Sequence, residues 1–141
     1  MAEINGTIRA KLSALDDVLG ELRSLGVVTS EQLRKDWRTR RAIERDLQVL
    51  VEIVVDVCQR LLTLRGNVPA ASGAEALRKC IDLGCLRERD GYARMVQFRN
   101  FIVHRYEFVD VNVLAEVVNR RLDDFEQFRD DVLGHVQRES G

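Results

Sequence analysis

Apolar residues recur at steps of three and four along most of the chain and strand-like alternation is absent, so the pattern predicts an all-α fold. Ile8, Leu12, Leu15, Leu19 and Leu22 form one stripe that ends before Gly26, which predicts a first helix covering one side of a bundle. Thr29-Ser30-Glu31-Gln32 has the form of a capping box, with Thr29 accepting from the amide near Gln32 and Gln32 reaching back, and it opens a long second helix. The stripe of that helix is Ile43, Leu47, Leu50, Val54, Val57, Leu61 and Leu64. A second set, Val51, Val55, Cys58 and Leu62, widens the apolar surface and predicts burial on two sides, against the bundle core and against something else.

Gly66, Asn67, Pro69 and Gly73 fall close together and mark Arg65 to Gly73 as a loop. Ser72-Gly73-Ala74-Glu75 reads as another capping box, opening a short helix through about Leu83 that Gly84 stops. Asp90-Gly91 is the next turn. A further helix runs from about Tyr92 to Val103 or Tyr106, and Asp110 caps a last helix whose inward face is Leu114, Val118, Leu122, Phe125, Val132 and Val136. The expected architecture is an up-and-down bundle of four main helices plus one short helix, forming a single domain over 1–141.

Composition narrows the function classes. The 141 residues suit one domain with one substantial core, and 45% hydrophobic with 32% charged residues excludes a disordered chain. Net charge is −1, so no global field attracts nucleic acid and any grip on it must be local. The basic residues are 19 Arg against 3 Lys, and guanidinium binds phosphate bidentately where ammonium does not. Cys58, Cys80 and Cys85 lack paired metal spacing and the two histidines are far apart, predicting reduced thiols, no structural zinc and no cofactor. The N-terminus has neither a basic start nor an apolar stretch, and the longest apolar run is broken by Glu52 and Asp56. A cytoplasmic protein without a membrane span is expected.

The candidate chemistry lies in Arg99-Asn100-Phe101-Ile102-Val103-His104-Arg105-Tyr106. A fixed positive charge, a group titrating near neutral pH and a phenol are set inside an otherwise apolar segment, a combination suited to phosphate chemistry. At about 100° per residue, Arg99 and Tyr106 fall within about 20° of each other on a helix, while Asn100 and His104 share a stripe roughly 120° away. One helix therefore spreads these groups. They converge only if the helix ends or bends near Val103, or if a symmetric dimer brings two copies to one cleft.

The octet resembles the signature of HEPN-domain ribonucleases, an arginine and polar residue followed by histidine. With the added tyrosine it is similar to the HepT toxins that pair with MntA-type minimal nucleotidyltransferase antitoxins in type VII-style toxin-antitoxin systems. The specific resemblance covers residues 99 to 106, with a compatible HEPN-type helical layout outside them. It implies metal-independent RNA cleavage by a homodimer with a composite site. Arg99 and His104 would be catalytic, with His104 as general acid or base and Arg99 on the phosphate. Asn100 either fixes the imidazole tautomer or is a solvated helix amide. Tyr106 either supports the site and receives AMP from the partner enzyme, or closes the helix end with a hydroxyl hydrogen bond. The rival readings are a non-catalytic HEPN adaptor that binds a nucleotidyltransferase or nucleotide, and a structural helical dimer in which the octet is accidental.

Weaker features complete the reading. Arg38, Arg41 and Arg45 share a stripe of the second helix and, with Arg40, would track RNA or meet an acidic partner, against the blander reading of a solvated stripe. Glu52 and Asp56 would either orient Arg99 from a neighbouring helix or form the wet edge Arg45, Gln48, Glu52, Asp56 and Gln59 or Arg60, the wet edge ranking first. His135 is given no role.

Overall fold

The computed structural model describes the backbone of residues 2–103 and 110–140, and the side chains of residues 6–99 and 110–139. Every regular element among them is helical: α1 (Ala2–Arg23), α2 (Ser30–Lys35), α3 (Trp37–Leu64), α4 (Gly73–Asp82), α5 (Asp90–Val103), α6 (Val111–Glu116), a π-helical turn (Val117–Arg121) and α7 (Leu122–Ser140). One apolar cluster joins them. Ile8, Leu12, Leu15, Leu19 and Leu22 of α1 meet Ile43, Leu47, Leu50, Val54, Val57 and Leu61 of α3, all of them buried. Each such side chain contributes about 1.5–3 kcal/mol on leaving water.

The expected long second helix is two helices. The Thr29 capping box forms in both directions, but α2 stops after six residues at Asp36, whose backbone (φ −114°, ψ 89°) leaves the helical region. The Asp36 carboxylate then caps α3, accepting from the Thr39 amide at 3.2 Å and the Thr39 hydroxyl at 2.6 Å. An aspartate that binds backbone two or three residues ahead competes with continuing the helix, and here it wins. The bundle therefore has two short helices, α2 and α4, where one was expected.

α6, the π turn and α7 follow one another without a break, and this run is the predicted last helix, with Asp110 capping Asn112 at 2.8 Å. The predicted inward residues are all buried. Leu114, Val118 and Leu122 are spaced by fours, which drifts by about 40° per step in an α-helix. The underwound π turn at 117–121 absorbs that drift. From the same turn the Asn119 amide bonds both the N–H and the C=O of Val28, at 3.0 and 2.8 Å, fixing the α1–α2 loop.

The second apolar set of α3 has an intramolecular explanation. Val51, Cys58 and Leu62 are buried within the protomer and Val55 is half-buried, with α4 and α5 packed against α3. The breadth of the α3 stripe therefore requires no second copy. Cys58, Cys80 and Cys85 are free and buried, and the Cys80 thiol donates to the Cys58 carbonyl at 3.4 Å. Hydrogen bonding to Cys58 and burial hold the Cys80 thiol far above its usual range, so it stays protonated and inert. Among the described residues no helix is long and apolar enough to cross a membrane.

Candidate active site

α5 carries the first part of the sequence signature, and its placement starts at the preceding loop. Arg89 donates through Nε and Nη2 to the two oxygens of Asp131 on α7, at 2.9 and 2.8 Å. The Tyr92 hydroxyl donates to the same carboxylate at 2.5 Å. Burial alone would raise the Asp131 pKa, but Arg89, Tyr92 and the Arg87 amide outweigh it and hold the carboxyl below its ordinary value. Burial and the neighbouring carboxylate together push the Tyr92 phenol well up, so it remains a donor.

One turn further, Arg94 makes a second bidentate pair with Asp124, at 3.0 and 2.9 Å. Gly91 permits this approach, since a Cβ there would lie 2.7 Å from an Asp124 carboxylate oxygen. The two pairs lock α5 onto α7. Arg99 is the next arginine at the same spacing of five, and it differs: it forms no hydrogen bond or ion pair with a described residue.

Arg99 instead lines an open groove of about 440 Å³ against α3, with Gln48, Val51, Glu52, Val55, Asp56 and Gln59. Gln59 of that lining also holds the 65–73 loop. The Gln59 side chain donates to the Ala70 carbonyl at 3.0 Å and accepts from the Ala70 amide at 2.8 Å, folding the loop back along α3. Ser72 then caps α4, accepting from Glu75 at 3.1 Å. The predicted reciprocal half of that capping box is displaced by one residue, because Glu75 accepts from the Ala71 amide at 2.9 Å rather than from Ser72. This arrangement sets Gly73 over Val55 and the Arg99 side chain. A Cβ at 73 would lie 2.9 Å from Arg99 Nε, 3.0 Å from its Cδ and 2.9 Å from Val55 Cγ2.

Glu52 and Asp56 do face the groove that Arg99 enters, but each is engaged elsewhere. Asp56 pairs with Lys11 and, at 3.6 Å, with Arg60 Nε, while Glu52 accepts from Gln48 at 3.1 Å. They are at once the wet edge of α3 and one wall of the groove. The Lys11 and Arg60 charges offset Asp56, which lessens its repulsion of an anion beside Arg99. On the other side of α5, Met95, Phe98, Val113, Val117 and Phe125 line a more apolar groove of about 300 Å³ that Arg99 does not enter.

The Asn100 backbone belongs to α5, whereas its side chain, and the whole of His104 and Tyr106, lie outside the described residues. Among the described residues no group of three or more His, Cys, Asp or Glu side chains is arranged to hold a metal ion. His135 is buried, and its burial lowers its pKa. Sequence reasoning missed Gly73 and the Gln59 clasp. The available signal was a glycine in the first helical position, where a better helix former would ordinarily stand.

Known proteins resemble this chain in sequence and in fold. The chain is similar to the mRNA nuclease HepT of Shewanella oneidensis, with 22% identity over 126 residues, covering 88% of this chain and 89% of the relative. Its fold is similar to that of the tri-AMPylated Shewanella oneidensis HEPN toxin solved in complex with an MNT antitoxin, with a TM-score of 0.78 at 21% identity over 90% of this chain and 96% of the other. It is also similar to YutE of Bacillus subtilis, a cytosolic protein of unknown function, with a TM-score of 0.77 at 16% identity over 96% and 92% of the two chains. The profile of the family described as Ribonuclease HepT-like matches residues 15–132, and the chain belongs to that family.

Proposed function

We propose that this protein is a HepT-like toxin, a metal-independent endoribonuclease that acts as a homodimer and is neutralised when a nucleotidyltransferase antitoxin adenylylates Tyr106. The observation that carries the reading is Arg99. It is the arginine of the 89, 94 and 99 series that no carboxylate among the described residues holds, and it lines an open groove at the head of the signature. A guanidinium left unpaired beside solvent is available to a phosphate, which it grips in bidentate fashion.

RNA brings its own nucleophile. Attack of the ribose 2′-oxygen on the adjacent phosphorus forms a new O–P bond and breaks the bond to the 5′-oxygen, leaving a 2′,3′-cyclic phosphate and a 5′-hydroxyl. The protein must remove the 2′-hydroxyl proton, deliver one to the leaving oxygen and stabilise the crowded anionic phosphate. His104 serves the proton transfers and Arg99 the developing charge. Asn100 holds the imidazole tautomer. An AMP attached to Tyr106 adds bulk and negative charge where substrate phosphate sits, which closes the site by sterics and repulsion. The proteins named HepT and HEPN toxin above support the substrate class, the partner and the modification. An RNA-cleaving toxin of this kind acts in the cytoplasm.

Induced expression tests this directly. Wild-type protein should arrest growth and should cleave RNA in EDTA, leaving cyclic phosphate ends. Arg99→Ala or His104→Ala should each lower cleavage by about 10²- to 10⁴-fold. Cleavage that EDTA abolishes, or that survives both substitutions, overturns the proposal. Intact mass after incubation with antitoxin and ATP should rise by AMP, and a rise that persists in Tyr106→Phe overturns the assignment of the modified residue.

A further inference from the structure

At the α2–α3 junction, far along α3 from the Arg99 groove, Trp37 is 59% exposed and the Arg38 guanidinium lies 5.4 Å from the centroid of its ring. Such a pair is a preformed cation–π stack with the rest of the indole surface open to solvent. Its surroundings are basic. Residues 34 to 45 include Arg34, Lys35, Arg38, Arg40, Arg41 and Arg45 against only Asp36 and Glu44, in a chain whose net charge is −1. Asp36 is exposed beside Arg38, but both of its carboxylate oxygens are engaged by Thr39, and Glu44 is buried. Neither Arg38 nor Arg45 is held in a salt bridge by a described residue.

The patch is continuous with the groove. Arg38, Arg41, Arg45, Gln48, Glu52 and Asp56 follow each other on α3 at steps of three and four, and Gln48 belongs to both the stripe and the groove lining. From Arg38 to Gln48 the helix rises by about 15 Å. From this placement we infer that Trp37 and the Arg38–Arg45 stripe form a subsite for single-stranded RNA. One unpaired base stacks on the indole, and the backbone runs along the arginines into the Arg99 groove. Single strands are held in this way generally, by an aromatic face for a base and a basic track for the phosphates. A protein partner fits less well, because interface centres are depleted of charge and the guanidinium groups would have to be desolvated beside the indole.

The inference rests on the ribonuclease reading, and its test separates the two. Trp37 is the sole tryptophan of the chain, so intrinsic emission reports on it alone. With His104→Ala protein and a short single-stranded oligoadenylate, Trp37 emission should be quenched along the same isotherm as the anisotropy of dye-labelled RNA. Trp37→Ala should raise KM for a long unstructured RNA by about fivefold to a hundredfold, with a smaller effect on kcat. Arg38→Ala should flatten the plot of log affinity against log salt by about 0.7. Val68→Ser, at an exposed apolar position in the 65–73 loop, serves as the surface control. RNA that is bound and cleaved while Trp37 emission stays constant and Trp37→Ala keeps its KM overturns the subsite and leaves the ribonuclease reading standing. A shift of emission with protein concentration or added antitoxin, and none with RNA, overturns it in favour of a protein interface. Protein that binds no RNA overturns both.

Discussion

Gly73 and Arg99 are in contact so close that a methyl group on residue 73 would stand 2.9 Å from the guanidine Nε. On propensity alone, replacing a helical glycine by alanine would stabilise the chain by about 0.4–1 kcal/mol. Here the contact reverses the sign. Gly73→Ala must displace either the Arg99 stem or Val55, and a misplacement of about 1 Å in a catalytic group can cost about 10²-fold in rate. Cleavage should therefore fall about ten- to a hundredfold in Gly73→Ala while the protein remains folded. In an Arg99→Ala background the stability cost of Gly73→Ala should shrink by about 0.5 kcal/mol or more, as coupled neighbours do. Equal costs in the two backgrounds, read from denaturant midpoints, would refute the contact.

The Arg89–Asp131–Tyr92 cluster anchors the start of α5, and its loss should be felt first in stability. Tyr92→Phe removes a donor from a nearly buried carboxylate and should cost about 1.5–3 kcal/mol. Asp131 has a folded pKa held below its ordinary value of 3.8, so its contribution is fully present above about pH 4 and is lost as pH falls through the folded value. Asp131→Asn should flatten the acid limb of the stability profile in that window. An unchanged slope would show that the pair does not persist in solution.

Much of the frame was legible because it follows from periodicity. The α1 stripe, the Thr29 box, the Asp110 cap and the positive φ of Gly84 are local consequences of residue type. What escaped reading depends on contacts between distant segments. The break at Asp36 is a contest between a side-chain cap and helix continuation, which the sequence window leaves balanced. The wide face of α3 suggested an outside partner because nothing local says that α4 and α5 cover it. Arg99 was singled out by its neighbours at 104 and 106. What sets it apart from Arg89 and Arg94 is that it turns to α3 rather than α7, into a groove whose Asp56 and Glu52 are already engaged by Lys11, Arg60 and Gln48.

His135 supplies a pH effect distinct from catalysis. Burial lowers its pKa below the unfolded 6.5, so above pH 6.5 it costs nothing, and as pH falls below that value the unfolded chain takes up a proton that the native state resists. Stability should therefore decline from about pH 6.5 downward. His135→Leu should remove that slope and leave the pH profile of cleavage, which the proposed function assigns to His104, in place. A His135→Leu protein whose stability still falls between pH 6.5 and 5 would contradict this.

A site shared between two protomers makes a prediction that a site within one protomer cannot. If Arg99 of one copy acts with His104 of the other, Arg99→Ala and His104→Ala are each inactive alone, yet their heterodimer keeps one intact pairing. Equal mixing yields heterodimers for half of the population, and one of the two symmetric pairings survives in each. Cleavage should recover to about a quarter of the wild-type rate once subunits exchange. If both groups belonged to one protomer, every subunit in the mixture would lack one of them and no recovery would occur. The mixture is assayed after dilution and reconcentration, with each single variant carried through the same treatment. The broad α3 face is already covered within the protomer, so the dimer reading rests on this complementation and on solution mass. Recovery without a dimeric mass, or a dimeric mass without recovery, would separate assembly from the shared site.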